Sequence, residues 1–168
     1  NRPERAKPYP KDILIFSPHP DDDVISMGGT FQRLIKQGHN VHVAYETSGC
    51  IAVDDSNLQY FLDFMNGYKA VIPDAPVTGN PSPITLADYT PRQILDLKAL
   101  IRRGEATAAD RFMGLSEDHI HFLNLPFYET GTVKKGDLTQ RDVDIVKNLL
   151  MAIRPHELFV AGDLADPR

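Results

Sequence analysis

The sequence predicts an α/β fold, specifically a Rossmann-like three-layer sandwich with a mostly parallel sheet. Short apolar runs typical of buried strands alternate with longer segments whose apolar residues recur at helical spacing. Such alternation builds βαβ units, in which the strands are parallel and the crossover is right-handed. The length of 168 residues suits one domain.

The first βαβ unit has the clearest signals. Residues 13–16 are apolar at every position and precede two prolines, which indicates a fully buried strand. Residues 28–38 have apolar residues at helical spacing and end in a glycine, a common helix stop. Residues 41–45 have strand propensity and are expected to pair in parallel with the first strand.

The same alternation continues to the end of the chain. Helices are predicted over residues 57–69, 91–113 and 139–153, and strands over residues 119–123 and 158–160. Gly104 is expected to break the second of these helices, and Thr139 is a candidate cap for the third. The proline-rich residues 72–90 favour a surface loop. Residues 1–11 indicate an extended linker, and residues 12–168 the domain itself.

Composition and charge limit the classes of partner. Eighteen basic and 23 acidic residues give a net charge of -5, which offers no electrostatic surface for a nucleic acid. No apolar run approaches the roughly 20 residues of a membrane helix. Cys50 is the single cysteine, and the first residues show no signal sequence, so we expect a cytoplasmic protein with a small-molecule partner.

The residues that indicate chemistry follow the first strand, in the run Ser17-Pro18-His19-Pro20-Asp21-Asp22-Asp23. In an open parallel sheet, ligands bind beyond the carboxyl ends of the strands. The flanking prolines restrict the backbone around His19 and stiffen the loop. An imidazole with a carboxylate suits Zn²⁺ or Fe²⁺, and of two adjacent aspartates one can bind the metal while its neighbour acts as a general base.

The loop has two other interpretations. Residues 21–23 could simply cap a helix and offset its dipole, but a cap requires neither His19 nor the prolines. Alternatively, Asp21 and Asp23 could be the nucleophile and acid of a Mg²⁺-dependent phosphoryl transfer, a scheme in which His19 has no role. The metal-hydrolase interpretation therefore explains more of the loop.

The loop resembles the signature of the LmbE/PIG-L de-N-acetylase family, Pro-His-Pro-Asp-Asp-Glu, which residues 18–22 match and in which Asp23 replaces Glu. Supporting matches are Gly28-Gly29-Thr30, Gly38-His39-Asn40-Val41, Thr47-Ser48-Gly49, Arg102-Arg103-Gly104-Glu105 and Met113-Gly114. Residues 121–128 and 162–167 are similar to domains fused behind glucosamine-6-phosphate deaminase-like modules. The resemblance thus implies a fused N-terminal deaminase-like domain as a partner.

The resemblance also implies an activity and a set of site residues. The activity would be zinc-dependent hydrolysis of the acetamide of an N-acetylglucosamine-type sugar, phosphorylated or not, with Fe²⁺ as the alternative metal. On the matching positions, His19 and Asp22 would bind the metal and Asp21 would be the general base. Arg102 would contact the substrate, and Asp23 would have a supporting or structural role.

One part of the family pattern is not matched. The third metal ligand of the family lies in a His-x-x-His segment after the last strand, where this sequence ends at Arg168, so we expect a truncated domain. The remaining histidines, His39, His42, His119, His121 and His156, are expected to be structural. A non-catalytic sugar-binding or scaffolding domain is therefore the alternative function, and a homo-oligomer is compatible with the sequence.

Overall fold

The computed structural model describes residues 9–72 and 83–161, apart from the side chains of residues 69 and 70. A four-stranded, all-parallel sheet with the order β3-β2-β1-β4 confirms the predicted α/β, Rossmann-like fold. The elements are β1 (Asp12–Ser17), α1 (Asp22–Lys36), β2 (Asn40–Tyr45), α2 (Asp55–Val71), α3 (Pro91–Met113), β3 (Ile120–Phe122), α4 (Gln140–Ile153) and β4 (Glu157–Phe159). Short 3₁₀ turns cover Cys50–Ala52, Leu86–Asp88 and Glu117–His119.

The main apolar core lies between the sheet and the helices α1 and α3. Ile13 and Ile15 of β1 pair with Val41 and Val43 of β2, and all four are at most 1% exposed. Phe31 of α1, also fully buried, packs against this cluster. The apolar run that predicted β1 is therefore buried as a central strand should be.

The strand order indicates where a ligand would bind along the sheet. The chain passes from β1 outward to β2 and β3 and then returns to β4 on the other side of β1. Because βαβ crossovers are right-handed, this reversal puts α4 on the opposite face from α1 and α3. The order in which strands are added therefore reverses between β1 and β4, and ligands of such sheets bind at the carboxyl ends of the strands at this point.

Two helices differ from their predicted form. Helix α1 begins at Asp22, six residues before the predicted start, and Met27 interrupts its geometry with φ −142°. The predicted break of α3 at Gly104 is wrong, because α3 is continuous from Pro91 to Met113. One glycine costs a helix only about 1 kcal/mol, and α3 offsets that cost with a capping box at Thr90 and with buried residues in its second half.

Other predictions are confirmed or lie outside the described residues. Thr139 caps α4 in a capping box with Asp142, as predicted. The predicted linker lies mostly within residues 1–8 and the proline-rich loop mostly within residues 73–82, both outside the described part. The predicted boundary between linker and domain therefore stays a prediction. No helix within residues 9–72 and 83–161 is both long and apolar enough to cross a membrane.

Candidate active site

The loop between β1 and α1 is held by hydrogen bonds within itself. The hydroxyl of Ser17, fully buried at the end of β1, donates to the carbonyl of His19 at 2.6 Å and accepts from the amide of Asp23 at 3.0 Å. The amide of Asp21 donates to the same carbonyl of His19 at 2.8 Å. These bonds fix the backbone on which the predicted site residues stand.

His19 and Asp22, the two predicted metal ligands, lie side by side. The Nδ1 atom of His19 is 3.0 Å from Oδ2 of Asp22, which also accepts the backbone N–H of His19 at 3.0 Å. Both side chains remain partly exposed, at 49% and 34%. An imidazole nitrogen and a carboxylate oxygen therefore face the same open space, and this donor pair suits Zn²⁺ or Fe²⁺.

Both residues line a cavity of about 800 Å³. Its lining comes from the ends of β1 and β4, from α1 and from the β3–α4 loop, and includes Phe16, Pro18, Ser26, Met27, Glu46, Phe127, Tyr128, Lys135, Phe159, Val160 and Ala161. The cavity thus opens where the strand order reverses, and its volume is ordinary for a small-molecule site.

Asp21 and Arg102, the predicted base and substrate-binding residue, contact each other. Nη2 of Arg102 is 2.8 Å from Oδ2 of Asp21, and Nη1 is 2.8 Å from Oε2 of Glu105. Among the described residues neither Asp21 nor Arg102 lines the cavity beside His19. The Arg102 side chain is 18% exposed, and its buried Nε has no acceptor in the described part of the chain.

Glu46 is a cavity residue that the sequence analysis missed. It directly follows β2 and lines the cavity with His19 and Asp22. Burial raises the pKa of its carboxyl, while the charges of His19 and Lys135 act in the opposite direction. The sequence could have indicated Glu46, because it follows a buried strand and so lies at the same edge of the sheet as the His19 loop.

Asp23 belongs to a buried polar network beneath the loop. The hydroxyl oxygen of Tyr45 is 3.1 Å from Oδ2 of Asp23 and 2.9 Å from Oδ2 of Asp110, and all three side chains are at most 2% exposed. Burial raises the pKa of Asp23, and burial together with the Asp23 charge raises the pKa of Asp110 to about 7. A hydroxyl donates only one proton, so the second short contact requires a protonated carboxyl.

The other histidines lie away from the cavity. His39 and His156 accept the backbone amides of Lys11 and Asp12 at 3.2 and 3.1 Å, at the amino end of β1. Three more form a cluster in which His42 Nδ1 is 3.0 Å from His121 Nε2 and the His42 and His119 rings are 4.2 Å apart. Across residues 9–72 and 83–161, no three His, Cys, Asp or Glu side chains are grouped so that they could hold a metal. His19 and Asp22 are therefore a fitting but partial donor set.

Two comparisons with known proteins bear on the family of this chain. A family model described as GlcNAc-PI de-N-acetylase matches residues 14–166, which include the loop, the cavity and the sheet. The chain is also 53% identical, over 176 aligned residues, to a protein of Bacteroides thetaiotaomicron described as glucosamine-6-phosphate deaminase-like. That alignment covers 99% of this chain and 26% of the relative, so the chain spans about a quarter of the relative's length.

Proposed function

This chain belongs to the GlcNAc-PI de-N-acetylase family, and from that premise we propose that it hydrolyses the acetamide of an N-acetylglucosamine-type sugar. The products are acetate and the free amino sugar. The observation that supports the proposal is the paired His19 and Asp22 in an 800 Å³ cavity at the strand-order reversal, with Asp21 between them in sequence.

His19 and Asp22 would hold the metal ion, with Zn²⁺ favoured by the imidazole and Fe²⁺ as the alternative. When bound, the ion supplies Lewis-acid polarisation of the amide carbonyl. The chain's own residues orient the substrate and transfer the proton. The tight hydrogen bonding of Ser17 to the loop holds both side chains toward the cavity before substrate binds.

Asp21 is the proposed general base. It takes a proton from the water whose oxygen adds to the acetamide carbon, and that proton is then given to the nitrogen as the carbon–nitrogen bond breaks. Arg102 holds Oδ2 of Asp21, which leaves Oδ1 without a partner among the described residues and available to accept a proton. Arg102 also remains the proposed substrate-contacting arginine, and a substrate oxygen would take the place of the half-exposed Glu105 at Nη1.

The identity of the whole protein is a further part of the proposal. A relative described as glucosamine-6-phosphate deaminase-like, nearly four times as long as the aligned region, supports a deacetylase domain within a larger protein. Removal of the acetyl group from N-acetylglucosamine 6-phosphate would then produce the amino sugar phosphate that a deaminase module consumes. The phosphorylated sugar is accordingly the first substrate to test.

The test is an acetate-release assay combined with metal analysis. Asp21→Asn should lower acetate release at least about 100-fold, the usual size of a general-base contribution, while leaving the metal content measured by mass spectrometry unchanged. Asp63→Asn is the matched control, because Asp63 is an exposed carboxylate whose one hydrogen bond within the described residues comes from Gln59. Unchanged turnover in Asp21→Asn would remove Asp21 from this role.

The same assay separates the alternative functions. Sugar binding with no acetate release from the metal-loaded wild-type chain would favour the non-catalytic sugar-binding domain. The phosphoryl-transfer alternative needs Asp23 as an accessible acid, yet Asp23 is 2% exposed and bonded to Ser17 and Tyr45. That burial favours hydrolysis over phosphoryl transfer.

A further inference from the structure

A second cavity, of about 440 Å³, is lined by three arginines, Arg92, Arg103 and Arg141. We propose that this arginine cavity is an oxyanion subsite that binds the phosphate group of the substrate sugar. The proposal rests on the proposed function and deepens it by assigning the substrate class. Guanidinium groups bind phosphate oxygens through paired N–H donors. The cavity is distinct from the first one, because no residue of the proposed metal-ligand loop, residues 17–23, lines it.

Arg103 is the best placed of the three. Its guanidinium lies over the ring of Phe122, 4.5 Å from the ring centroid, and no described carboxylate forms an ion pair with it. Stacking fixes the plane of the guanidinium and leaves its N–H edge available for a ligand. The neighbouring Arg102 is different, because Asp21 and Glu105 occupy its guanidinium.

Arg141 and Arg92 add positive charge from two other directions. Arg141 stands in the first turn of α4, where the helix dipole favours a negatively charged ligand, and it has no ion pair within the described residues. Arg92, near the start of α3, pairs with the exposed Asp96 at 3.0 Å. Arg92 therefore contributes less uncompensated charge than Arg103 and Arg141.

The other acid in the lining, Glu129, has both carboxylate oxygens occupied by neutral hydrogen-bond donors. Its Oε1 accepts the Thr47 hydroxyl at 2.9 Å and the Ser48 amide at 2.5 Å, and its Oε2 accepts the Ser48 hydroxyl at 2.9 Å. Three arginines against the carboxylates of Asp96 and Glu129 leave the lining with a net formal charge of +1. An anion is the ligand that such a lining favours.

A shared lining residue places the arginine cavity beside a third cavity, which His19 also lines. The shared residue is Glu129, and the third cavity, of about 350 Å³, is also lined by Tyr128. The three spaces thus follow one another along the carboxyl edge of the sheet. A sugar with its acetamide at His19 and a phosphate at its other end matches this order of donors.

Binding of N-acetylglucosamine 6-phosphate, N-acetylglucosamine and inorganic phosphate to the full chain, measured by calorimetry, tests the subsite. The wild type should bind the phosphorylated sugar at least about tenfold more tightly than the unphosphorylated one, the size of a lost charged hydrogen bond. Arg103→Gln and Arg141→Gln should each remove that preference. Arg111→Gln, the same change on an exposed arginine of α3 outside the cavity, should keep it.

Each other outcome overturns the proposal. Equal binding of the two sugars by the wild type, or loss of the preference in Arg111→Gln as well, would rule out a phosphate subsite at these arginines. If inorganic phosphate binds in an Arg103-dependent way but does not compete with the phosphorylated sugar, the arginines form a separate anion site rather than a substrate subsite.

The acetate assay distinguishes this proposal from the proposed function. If no sugar releases acetate while the Arg103-dependent preference persists, hydrolysis is refuted and the subsite stands. If acetate is released from both sugars with the same KM in the wild type and in Arg103→Gln, hydrolysis stands and the subsite is refuted.

Discussion

Replacing Asp110 with asparagine should remove a pH-dependent destabilisation of this fold. Asp110 is fully buried against Tyr45 and Asp23, and its pKa is raised from 3.8 to about 7. The folded protein therefore binds this proton more tightly than the unfolded chain does. The contribution of Asp110 to the free energy of unfolding is therefore greatest below pH 3.8 and is lost as the pH rises toward 7.

The magnitude follows from the size of the shift. A shift of about 3 pKa units, at about 1.4 kcal/mol each, corresponds to up to about 4 kcal/mol of stability lost above pH 7. Asparagine resembles the protonated carboxyl in shape and offers N–H donors to the same neighbours. Asp110→Asn should therefore be more stable than the wild type by up to about 4 kcal/mol at pH 8, by less than half of that at pH 5, and nearly equal to it only below pH 3.8.

Urea denaturation of both proteins between pH 5 and pH 8 measures this difference. Asp63→Asn, an exposed aspartate on α2, is the control, and its stability should follow the wild-type curve. A stability difference between Asp110→Asn and the wild type that is the same at every pH would refute the reasoning, because stability would then not depend on the protonation of Asp110.

Two further predictions concern the histidine cluster and the approach of Gly49 to the loop that carries His19. Burial, with the charges of its two histidine neighbours, lowers the pKa of His42 to about 4, so stability should fall as the pH drops from 6.5 toward 4, by up to about 3 kcal/mol. The melting temperature of His42→Gln should fall less than that of the wild type over that pH range. An equal fall would show that His42 is not the group responsible. Gly49 has φ 66°, and a Cβ there would stand 2.9 Å from Cδ of Pro20, so Gly49→Ala should cost about 1–3 kcal/mol in denaturation and reduce acetate release. Gly67→Ala, in α2 with open space around it, is the matched control and should be neutral or slightly stabilising; equal behaviour of the two variants would refute the close approach.

Local sequence was sufficient for the strand–loop–helix unit that holds the site. Residues 13–16 are apolar throughout, so the strand could be recognised as buried, and the loop that follows could be placed at the carboxyl edge of a parallel sheet. His19 and Asp22 are three residues apart, so their contact depends on the loop and the first helical turn alone. Gly104 shows the limit of such reasoning, because packing and capping of α3 overcame its low helix propensity.

Contacts between distant segments were decided only by the tertiary structure. Arg102 meets Asp21 across 81 positions, and Tyr45 meets Asp110 across 65, because α3 packs beside α1 against the same face of the sheet. The spacing of residues in sequence specifies neighbours within a helix or turn, but helix packing specifies which of their faces meet. The local motif thus determined the pairing of His19 with Asp22, the proposed metal ligands, whereas helix packing determined the partner of the proposed base and the raised pKa of Asp110.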